Sequence, residues 1–235
     1  MVLKKLMREN ENISVAIIPA RSGSKRIPNK NFIIHENQTM VEHAIHLAKE
    51  SNIFKEIIIS LDNHEHDNKL SDLDVKLHHR PTELGADNIS TISVIKDVLT
   101  QHSSLWPSDI CCIYPCTPLL EARRVIEGLA LLRKFPTKFI FAAQPAYSNP
   151  LRMFTLDQNG LTFTDPKTLK ANTQNVADFY TDAGQFYWGN FSTWISKESI
   201  LDNESIPLIL SRWETIDIDE EEDLTIAFAL RKHRK

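Results

Sequence analysis

Short apolar runs alternate with amphipathic stretches over the first two-thirds of the chain. Three runs are nearly continuous: "ISVAIIPA" from Ile13 to Ala20, "EIIIS" from Glu56 to Ser60 and "DICCIYP" from Asp109 to Pro115. Apolar runs without alternation are typical of strands that are buried on both faces, as in parallel sheets. The pattern therefore predicts the central strands of an α/β fold.

The stretches between these runs have helical periodicity. "MVEHAIHLAKES" (Met40 to Ser51) repeats apolar residues at helical spacing, "STISVIKDVLTQH" begins with Ser90 as a plausible cap, and "EARRVIEGLALLRKF" precedes a further strand, "KFIFAAQ". Strands that alternate with helices are the signature of βαβ units. We therefore expect a mainly parallel sheet with helices packed on it.

The pattern changes after the "KFIFAAQ" strand. Residues 148–178 are polar and turn-rich, and "DQNG" indicates a hairpin turn near Asn159-Gly160. We expect an inserted antiparallel arm that serves as a lid or as an oligomer contact. A strand-rich section, "GQFYWGNFSTWI", then returns to the sheet, and "EEEDLTIAFALRKHRK" predicts a last helix.

Composition limits the class of protein. The 235 residues are 42% hydrophobic and 25% charged, which predicts one globular domain over residues 1–235. A net charge of -4 argues against a uniformly basic nucleic-acid binder. The chain contains neither a bilayer-length apolar stretch nor a signal-peptide apolar region, so we expect a cytoplasmic protein without a membrane partner. Three clustered cysteines, Cys111, Cys112 and Cys116, do not resemble a disulfide framework.

The first candidate site is the basic loop "ARSGSKRIPNKN", which directly follows the first strand. In open α/β sheets, ligands bind beyond the carboxyl ends of the strands. The amides of Ser22, Gly23 and Ser24 are placed to form an anion-binding nest, and Arg21 and Lys25 add charge-assisted bonds to phosphate oxygens. A polyphosphate is the natural ligand, although the loop matches neither a Walker A motif nor G-x-G-x-x-G. Composition alone leaves a solvated basic loop as the alternative.

The second candidate site is acidic and lies near the end of the chain, in "TIDIDEEED". If "TIDID" is extended, Asp217 and Asp219 project to the same side, as hard oxygen ligands suited to Mg²⁺. The four acids that follow, Glu220 to Asp223, are typical of the first turn of the last helix.

Weaker signals come from an aromatic segment and from the histidines. In "YTDAGQFYWG", strand alternation accounts for most of the aromatic residues, whereas Asp182 and Gln185 flank a glycine and suit a hydroxyl-rich ligand. "NHEHDN" suggests a metal through His64 and His66, but no third ligand adjoins them in sequence. We therefore expect a solvated helix start there, and likewise solvated side chains at His78-His79.

Taken together, these segments resemble the CMP-sialic acid synthetase family of sugar nucleotidyltransferases. "IIPARSGSKRIPNKN", "RPTELGADNISTISVI" and "TIDIDEEED" are similar to three segments of that family, in family order, over residues 13–230. The resemblance implies a three-layer Rossmann-like nucleotidyltransferase with a small antiparallel dimerisation insertion. Within the family, "YTDAGQFYWG" and the tyrosine of "CCIYPCTP" resemble the pseudaminic acid cytidylyltransferases. Two residues depart from the pattern: Ser22 replaces a glycine, and Thr181 stands where that subfamily has histidine.

The resemblance also implies a reaction and the residues that carry it. CTP and a nine-carbon 2-keto acid sugar would give a CMP-sugar and pyrophosphate. Arg21, Ser22, Gly23, Ser24 and Lys25 would hold the triphosphate.

The remaining nucleotide contacts would come from Asn31, Arg80 and Thr91. Asp217 and Asp219 would bind Mg²⁺, and Lys25, Arg21 and Asp219 would be the catalytic residues. Asp182, Gln185 and Tyr187 would contact the sugar, with Arg152 and Lys170 of the inserted arm as further candidates for its carboxylate. The family further implies a homodimer.

Two kinds of alternative stay open. The substrate is N-acetylneuraminic, legionaminic or 3-deoxy-octulosonic acid if the subfamily assignment fails. A non-catalytic nucleotide-binding regulator is the alternative from another class of protein. The presence of both Lys25 and the Asp217/Asp219 pair argues against a regulator, because binding alone rarely needs a metal at the reacting phosphate.

Overall fold

A mostly parallel sheet lies at the centre of the structure, a computed structural model that describes residues 13–86, 88–167 and 177–234. The strands within these residues are β1 Ile13–Ala20, β2 Ile34–His35, β3 Gln38–Thr39, β4 Phe54–Leu61, β5 Lys76–His79, β6 Ser108–Ile113, β7 Ile140–Pro145, β8 Phe154–Asp157, β9 Gly160–Phe163, β10 Tyr180–Asn190 and β11 Ile206–Ile209. The helices are α1 Met40–Ser51, α2 Asp67–Ser71, α3 Thr91–Gln101, α4 Ala122–Lys134, α5 Phe191–Ser196 and α6 Glu221–Arg234.

The main sheet has the order β11-β7-β10-β6-β1-β4-β5 among the described residues. Strand β1 pairs in parallel with β4 on one side and with β6 on the other, so that Ile17 lies opposite both Ile58 and Cys112. Strand β10 runs antiparallel to β6 and β7. The carboxyl ends of β1, β4, β5 and β6 therefore share one edge of the sheet with the beginning of β10.

Helices cover both faces of this sheet. On one face α1 and α4 contribute Ile45 and Leu129 to a core that includes Trp188 of β10. On the other face α3 and α5 contribute Ile95 and Trp194. The three-layer α/β arrangement predicted from the sequence is confirmed. Among the described residues, no helix is long and apolar enough to cross a membrane.

Capping side chains fix where two of these helices begin. The Thr39 hydroxyl accepts a hydrogen bond from the Glu42 amide, and the Glu42 carboxylate accepts one from the Thr39 amide at 2.6 Å. This reciprocal pair is a capping box. Ser90 accepts from the Ser93 amide at 3.2 Å, which confirms the predicted cap of α3.

The inserted region contains a separate hairpin. Strands β8 and β9 pair antiparallel, with Phe154 opposite Phe163 and Asp157 opposite Gly160, so the predicted turn at Asn159-Gly160 is present. Residues 168–176, which include Lys170, lie outside the described residues. The extended reading of "FSTWI" is wrong, because Asn190 accepts a hydrogen bond from the Thr193 amide at 2.7 Å and starts α5.

Glu214 links the chain just before the acidic segment to helix α4. It is 5% exposed and accepts hydrogen bonds from Arg123, from Arg124 at 2.8 and 2.9 Å, and from the Ser211 amide at 2.9 Å. The Arg124 hydrogen bonds are the main cause that lowers the pKa of Glu214 from 4.5 to about 2. Because the folded-state pKa lies below the unfolded-state value, the ionised carboxylate stabilises the fold at neutral pH.

We expect this contribution to be lost as the pH falls. It is fully present above about pH 4.5 and disappears as the pH falls towards 2, and at neutral pH it is worth about 3 kcal/mol. Glu214→Gln should lower the free energy of unfolding at pH 7 by about 2 kcal/mol and flatten its acid dependence, as measured by urea titration at several pH values. The control is Glu198→Gln, which alters the highly exposed partner of Lys96 and should cost less than about 0.5 kcal/mol. Equal losses from both variants would contradict the assignment.

Candidate active site

A cavity of about 270 Å³ opens at the edge of the sheet where the parallel strands end. Its walls come from the segments that follow β1, β5 and β6, from the start of α3, and from the chain before α6. The polar residues that line it are Arg21, Lys30, Asn31, Arg80, Thr91, Tyr114 and Asp217. Four of the predicted nucleotide contacts and one predicted metal ligand thus share one cavity.

The loop after β1 is held by the residues that follow β4. The Ser22 amide donates to both carboxylate oxygens of Asp62 at 3.1 Å, and the Ser22 hydroxyl donates to Asp62 at 2.9 Å. The Asn63 side-chain amide in turn donates to the Ser22 hydroxyl. Serine at the usual glycine position is therefore accommodated, because its hydroxyl has two partners.

The rest of the loop faces outwards. Gly23 and Lys25 are exposed, and a Cβ placed on Gly23 would meet no atom of the described residues within 4 Å. This open face allows a ligand to approach the backbone closely. The side chain of Asn31 is buried and donates to the Arg21 carbonyl at 2.8 Å, so it shapes the loop from within.

The basic loop and the acidic segment meet in space although they lie far apart in the sequence. Arg26 pairs with Asp219 at 2.6 Å, and the Lys30 amine lies 3.7 Å from the same carboxylate. Lys30 also donates to the Ile218 carbonyl. The two candidate sites predicted separately from the sequence are therefore parts of one site.

The chain from Thr215 to Asp219 forms no strand, yet its side chains alternate. Ile216 and Ile218 are buried in a small core with α6, whereas Asp217 is exposed and Asp219 is half-buried. The two carboxylates thus lie on the side opposite the core, as expected for extended backbone. Desolvation, followed by the negative charge of Asp219, raises the pKa of Asp217.

Gly184 stands directly behind this carboxylate. Its φ of +59° is a conformation that favours glycine, and a Cβ there would lie 3.5 Å from an oxygen of Asp217. The acids after Asp219 behave as expected for a helix start, because Asp223 accepts hydrogen bonds from the amides of Asp219 and Glu220.

Arg80 and Thr91 form the deeper wall of the cavity. Arg80 is 6% exposed and donates to the carbonyl and hydroxyl oxygens of Ser60, while its buried Nε has no hydrogen-bond partner within the described residues. Burial lowers the pKa of Arg80 below its ordinary value. Thr91 shares a hydrogen bond with the Tyr114 hydroxyl. This wall thus offers a buried cationic donor beside a pair of hydroxyl groups.

The three residues predicted to contact a sugar lie at the beginning of β10. Asp182 accepts hydrogen bonds from the Gly184 amide at 3.0 Å and from the Tyr187 hydroxyl at 2.7 Å. Gln185 is 1% exposed and donates to the carbonyls of Ala183 and Ile216. Burial strongly raises the pKa of Tyr187. Gln185 contacts the residue before Asp217, Asp182 acts electrostatically on Asp217, and Tyr187 contacts Asp182. The contact of these three residues with a sugar stays a prediction.

Asp62, Lys30 and Tyr114 belong to the site but were not assigned a role there from the sequence. Asp62 and Tyr114 directly follow β4 and β6, which is the signal that also pointed to the first loop. Lys30 belongs to the basic cluster, but the sequence gives no signal that distinguishes Lys30, which contacts the acidic segment, from the exposed cations beside it.

The comparisons with known proteins agree with this geometry. The chain is an α/β protein whose cavity lies at the carboxyl edge of a mostly parallel sheet. Residues 15–224 match the cytidylyltransferase family, and the chain belongs to this family. It is 31% identical over 230 residues to the pseudaminic acid cytidylyltransferase of Campylobacter jejuni, covering 93% of this chain and 96% of the relative.

Two more distant comparisons agree with this assignment. The N-acylneuraminate cytidylyltransferase of Escherichia coli is 23% identical over 223 residues, which span 94% of this chain and 52% of that protein. A solved structure of CMP:2-keto-3-deoxy-manno-octonic acid synthetase complexed with CTP superposes with a TM-score of 0.72 at 14% identity, covering 95% of this chain and 100% of the other. The nucleotidyltransferase class and the family resemblance predicted from the sequence are confirmed.

Because Asp62 holds the loop through Ser22, we expect nucleotide affinity to depend on Asp62, the residue that follows β4. Asp62→Asn removes one of the acceptors that order the loop, so we expect the Kd for CTP, measured by calorimetry, to rise about tenfold. Ser22→Gly keeps the amide donor and should change the Kd less than about threefold. The matched control Asp72→Asn alters an exposed carboxylate just after α2. An unchanged Kd for Asp62→Asn would show that the loop is ordered without this contact.

Proposed function

We propose that this chain transfers CMP from CTP to pseudaminic acid, giving CMP-pseudaminic acid and pyrophosphate. The observation that carries the proposal is the junction of the basic loop with the Asp217/Asp219 segment at one cavity. The greater identity to the pseudaminic acid enzyme of C. jejuni than to the E. coli N-acylneuraminate enzyme supports the choice of sugar. Tyr114 in the cavity wall also supports the choice of pseudaminic acid, because the tyrosine of "CCIYPCTP" is a feature of the resemblance to that subfamily.

The reaction requires in-line attack of the sugar's anomeric hydroxyl on the α-phosphorus. Negative charge then builds on the α-phosphate oxygens and on the leaving pyrophosphate. Arg21 and Lys25 neutralise this charge. Of the three loop amides predicted to bind phosphate, Ser22 donates to Asp62 and Ser24 donates to the Ser22 carbonyl, so the Gly23 amide is the one that would hold the phosphates. Arg80 and Thr91 bind the polar edge of cytosine. Asn31 orients the loop through its hydrogen bond to the Arg21 carbonyl.

Asp217 and Asp219 are the residues that would hold Mg²⁺. Their donor set fits a hard cation: two carboxylates lie on one side of an extended segment, and the negative charge of Asp219 contributes to the raised pKa of Asp217. When bound, the ion supplies charge neutralisation at the phosphates and lowers the pKa of the attacking hydroxyl. Asp182, Gln185 and Tyr187 position the sugar from the side of β10.

We also propose that the chain is one cytidylyltransferase domain that works as a homodimer through its inserted arm. Phe154, Leu156, Leu161 and Phe163 share one face of the β8–β9 hairpin, and Leu156 is 75% exposed. A two-stranded hairpin is marginal alone, so an apolar face of this kind is best covered by a second copy. Arg152 lies just before this hairpin, and its contact with a sugar carboxylate stays a prediction, as does the cytoplasmic location.

One product assay tests the reaction and the substrate together. Incubation with CTP, Mg²⁺ and pseudaminic acid should release pyrophosphate and give CMP-pseudaminic acid by mass spectrometry. Parallel incubations contain N-acetylneuraminic, legionaminic or 3-deoxy-octulosonic acid. Preferential turnover of one of these sugars would transfer the proposal to that substrate. CTP binding without pyrophosphate release from any sugar would favour a regulatory nucleotide-binding protein.

The catalytic assignment predicts a large effect at two charged side chains. Lys25→Ala should lower kcat about a hundredfold because a cation facing the developing charge is lost. Asp219→Asn should abolish most of the Mg²⁺-dependent rate. The controls are Lys55→Ala, an exposed lysine of β4, and Glu222→Gln, an acid of the α6 first turn. A normal rate for Lys25→Ala, or an unaltered Mg²⁺ titration for Asp219→Asn, would remove that residue from the mechanism.

If the β8–β9 hairpin forms the dimer contact, a charge on its apolar face should change the oligomeric state. Leu156→Asp places a charge on the apolar face of the hairpin, so the chain should sediment as a monomer, whereas the unaltered chain sediments as a dimer. Leu201→Asp is the control, because Leu201 is 43% exposed but lies away from the hairpin in sequence. A dimer that persists in Leu156→Asp would assign the contact to another surface.

A further inference from the structure

Three ligand-bearing side chains converge beside the cavity but outside it. His64 follows β4, Asp67 begins α2 and His79 ends β5. One Asp67 oxygen lies 2.7 Å from His64 Nδ1, the other lies 2.8 Å from His79 Nε2, and the two imidazole rings stack with centroids 3.8 Å apart. The three potential ligand atoms all lie within 4.8 Å of one another. We expected these histidines to be solvated, but two of them, His64 and His79, share the Asp67 carboxylate.

The neighbouring histidines take no part in this cluster. His66 stacks on Phe32 with ring centroids 3.6 Å apart. His78 is buried and lies 2.7 Å from Asp97. The segment "NHEHDN" thus contributes His64 and Asp67, not the predicted pair His64 and His66. The third ligand, His79, comes from β5, because the parallel pairing of β4 with β5 brings it next to the segment that follows β4.

We propose that His64 Nδ1, Asp67 and His79 Nε2 form a binding site for a divalent transition-metal ion of the Zn²⁺ class. Two imidazole nitrogens and one carboxylate are a donor set that suits Zn²⁺ with a fourth position open to water. Bond lengths of about 2.0–2.2 Å place the ligand atoms of such a site roughly 3.3 Å apart. The ligand atoms must therefore move closer together than their present spacing, and the 75% exposure of the His64 side chain leaves room for its ring to turn towards a metal.

On binding, each histidine presents a ring-nitrogen lone pair to the metal, and the ring proton is carried by the other nitrogen. The site differs in kind from the Asp217/Asp219 pair, which offers only oxygen ligands. Nitrogen ligands favour Zn²⁺ over Mg²⁺, so the two sites select different ions. Each site can therefore be titrated separately.

A metal ion bound by this cluster would connect two strand ends near the cavity. His64 is two residues beyond Asp62, which holds the loop after β1, and His79 directly precedes Arg80 in the cavity wall. A metal bonded to both histidines ties the carboxyl ends of β4 and β5 together. It therefore supports, from outside the cavity, both Arg80 in the cavity wall and Asp62, which holds the loop after β1.

Metal titration of the full chain tests the proposal without reference to activity. Tag-free protein, stripped with a chelator, is titrated with Zn²⁺ in a calorimeter and with Co²⁺ in a spectrophotometer. We expect one equivalent of Zn²⁺ to bind and the visible band of tetrahedral Co²⁺ to appear. His64→Gln and His79→Gln should each weaken Zn²⁺ binding at least about tenfold, since even residues that only orient metal ligands matter this much.

Two controls separate this site from others. His46→Gln removes an exposed histidine of α1 that lies outside the cluster, and it should leave the affinity unchanged. Asp217→Asn alters the proposed Mg²⁺ site and should also leave Zn²⁺ affinity unchanged.

The proposal is overturned if the wild-type chain binds no equivalent of Zn²⁺, or if both cluster variants bind it as tightly as His46→Gln does. His64→Gln decides the matter if His79→Gln does not fold, because an exposed side chain can be replaced without disturbing the core.

Discussion

The site depends on the parallel pairing of β1 with β4 and β6. Parallel strands end at the same edge of a sheet, so the segments after them have to meet there. Because β1 lies between the other two strands, the loop from Arg21 onwards contacts Asp62 on one side and faces the Tyr114 wall on the other. The antiparallel strand β10 then enters from this edge and brings Asp182 and Gly184 to it.

Much of this arrangement was predictable from the sequence because buried parallel strands leave an unmistakable apolar pattern. The runs at β1, β4 and β6 located the strands, and the residues just beyond β1 and before α6 carried most of the charge of the site. The Asp217/Asp219 spacing also predicted the shared orientation of the two carboxylates. That expectation holds even though the segment forms no strand, because the buried residues Ile216 and Ile218 on either side of Asp217 impose the alternation.

The remaining features depended on contacts between distant segments, which periodicity does not encode. The partner of Ser22 is 40 residues away, and the partner of Arg26 is 193 residues away. His79 joins His64 only because of the β4–β5 register. "FSTWI" has strand-like residues, but a local cap from Asn190 outweighs them and starts a helix. In each case a specific hydrogen bond or strand pairing decides what the side chains do.

The hydrogen bonds of Ser22 also determine which neighbouring side chains this loop requires. A glycine at position 22 would need only a backbone acceptor, whereas serine needs Asp62 and Asn63 to satisfy its hydroxyl group as well. The Ser22 hydroxyl therefore couples residue 22 to residue 63 across two segments of the chain. Removal of one partner leaves the other polar group to find a new hydrogen bond. Serine at residue 22 thus makes the support of this loop depend on side chains that follow the neighbouring strand β4.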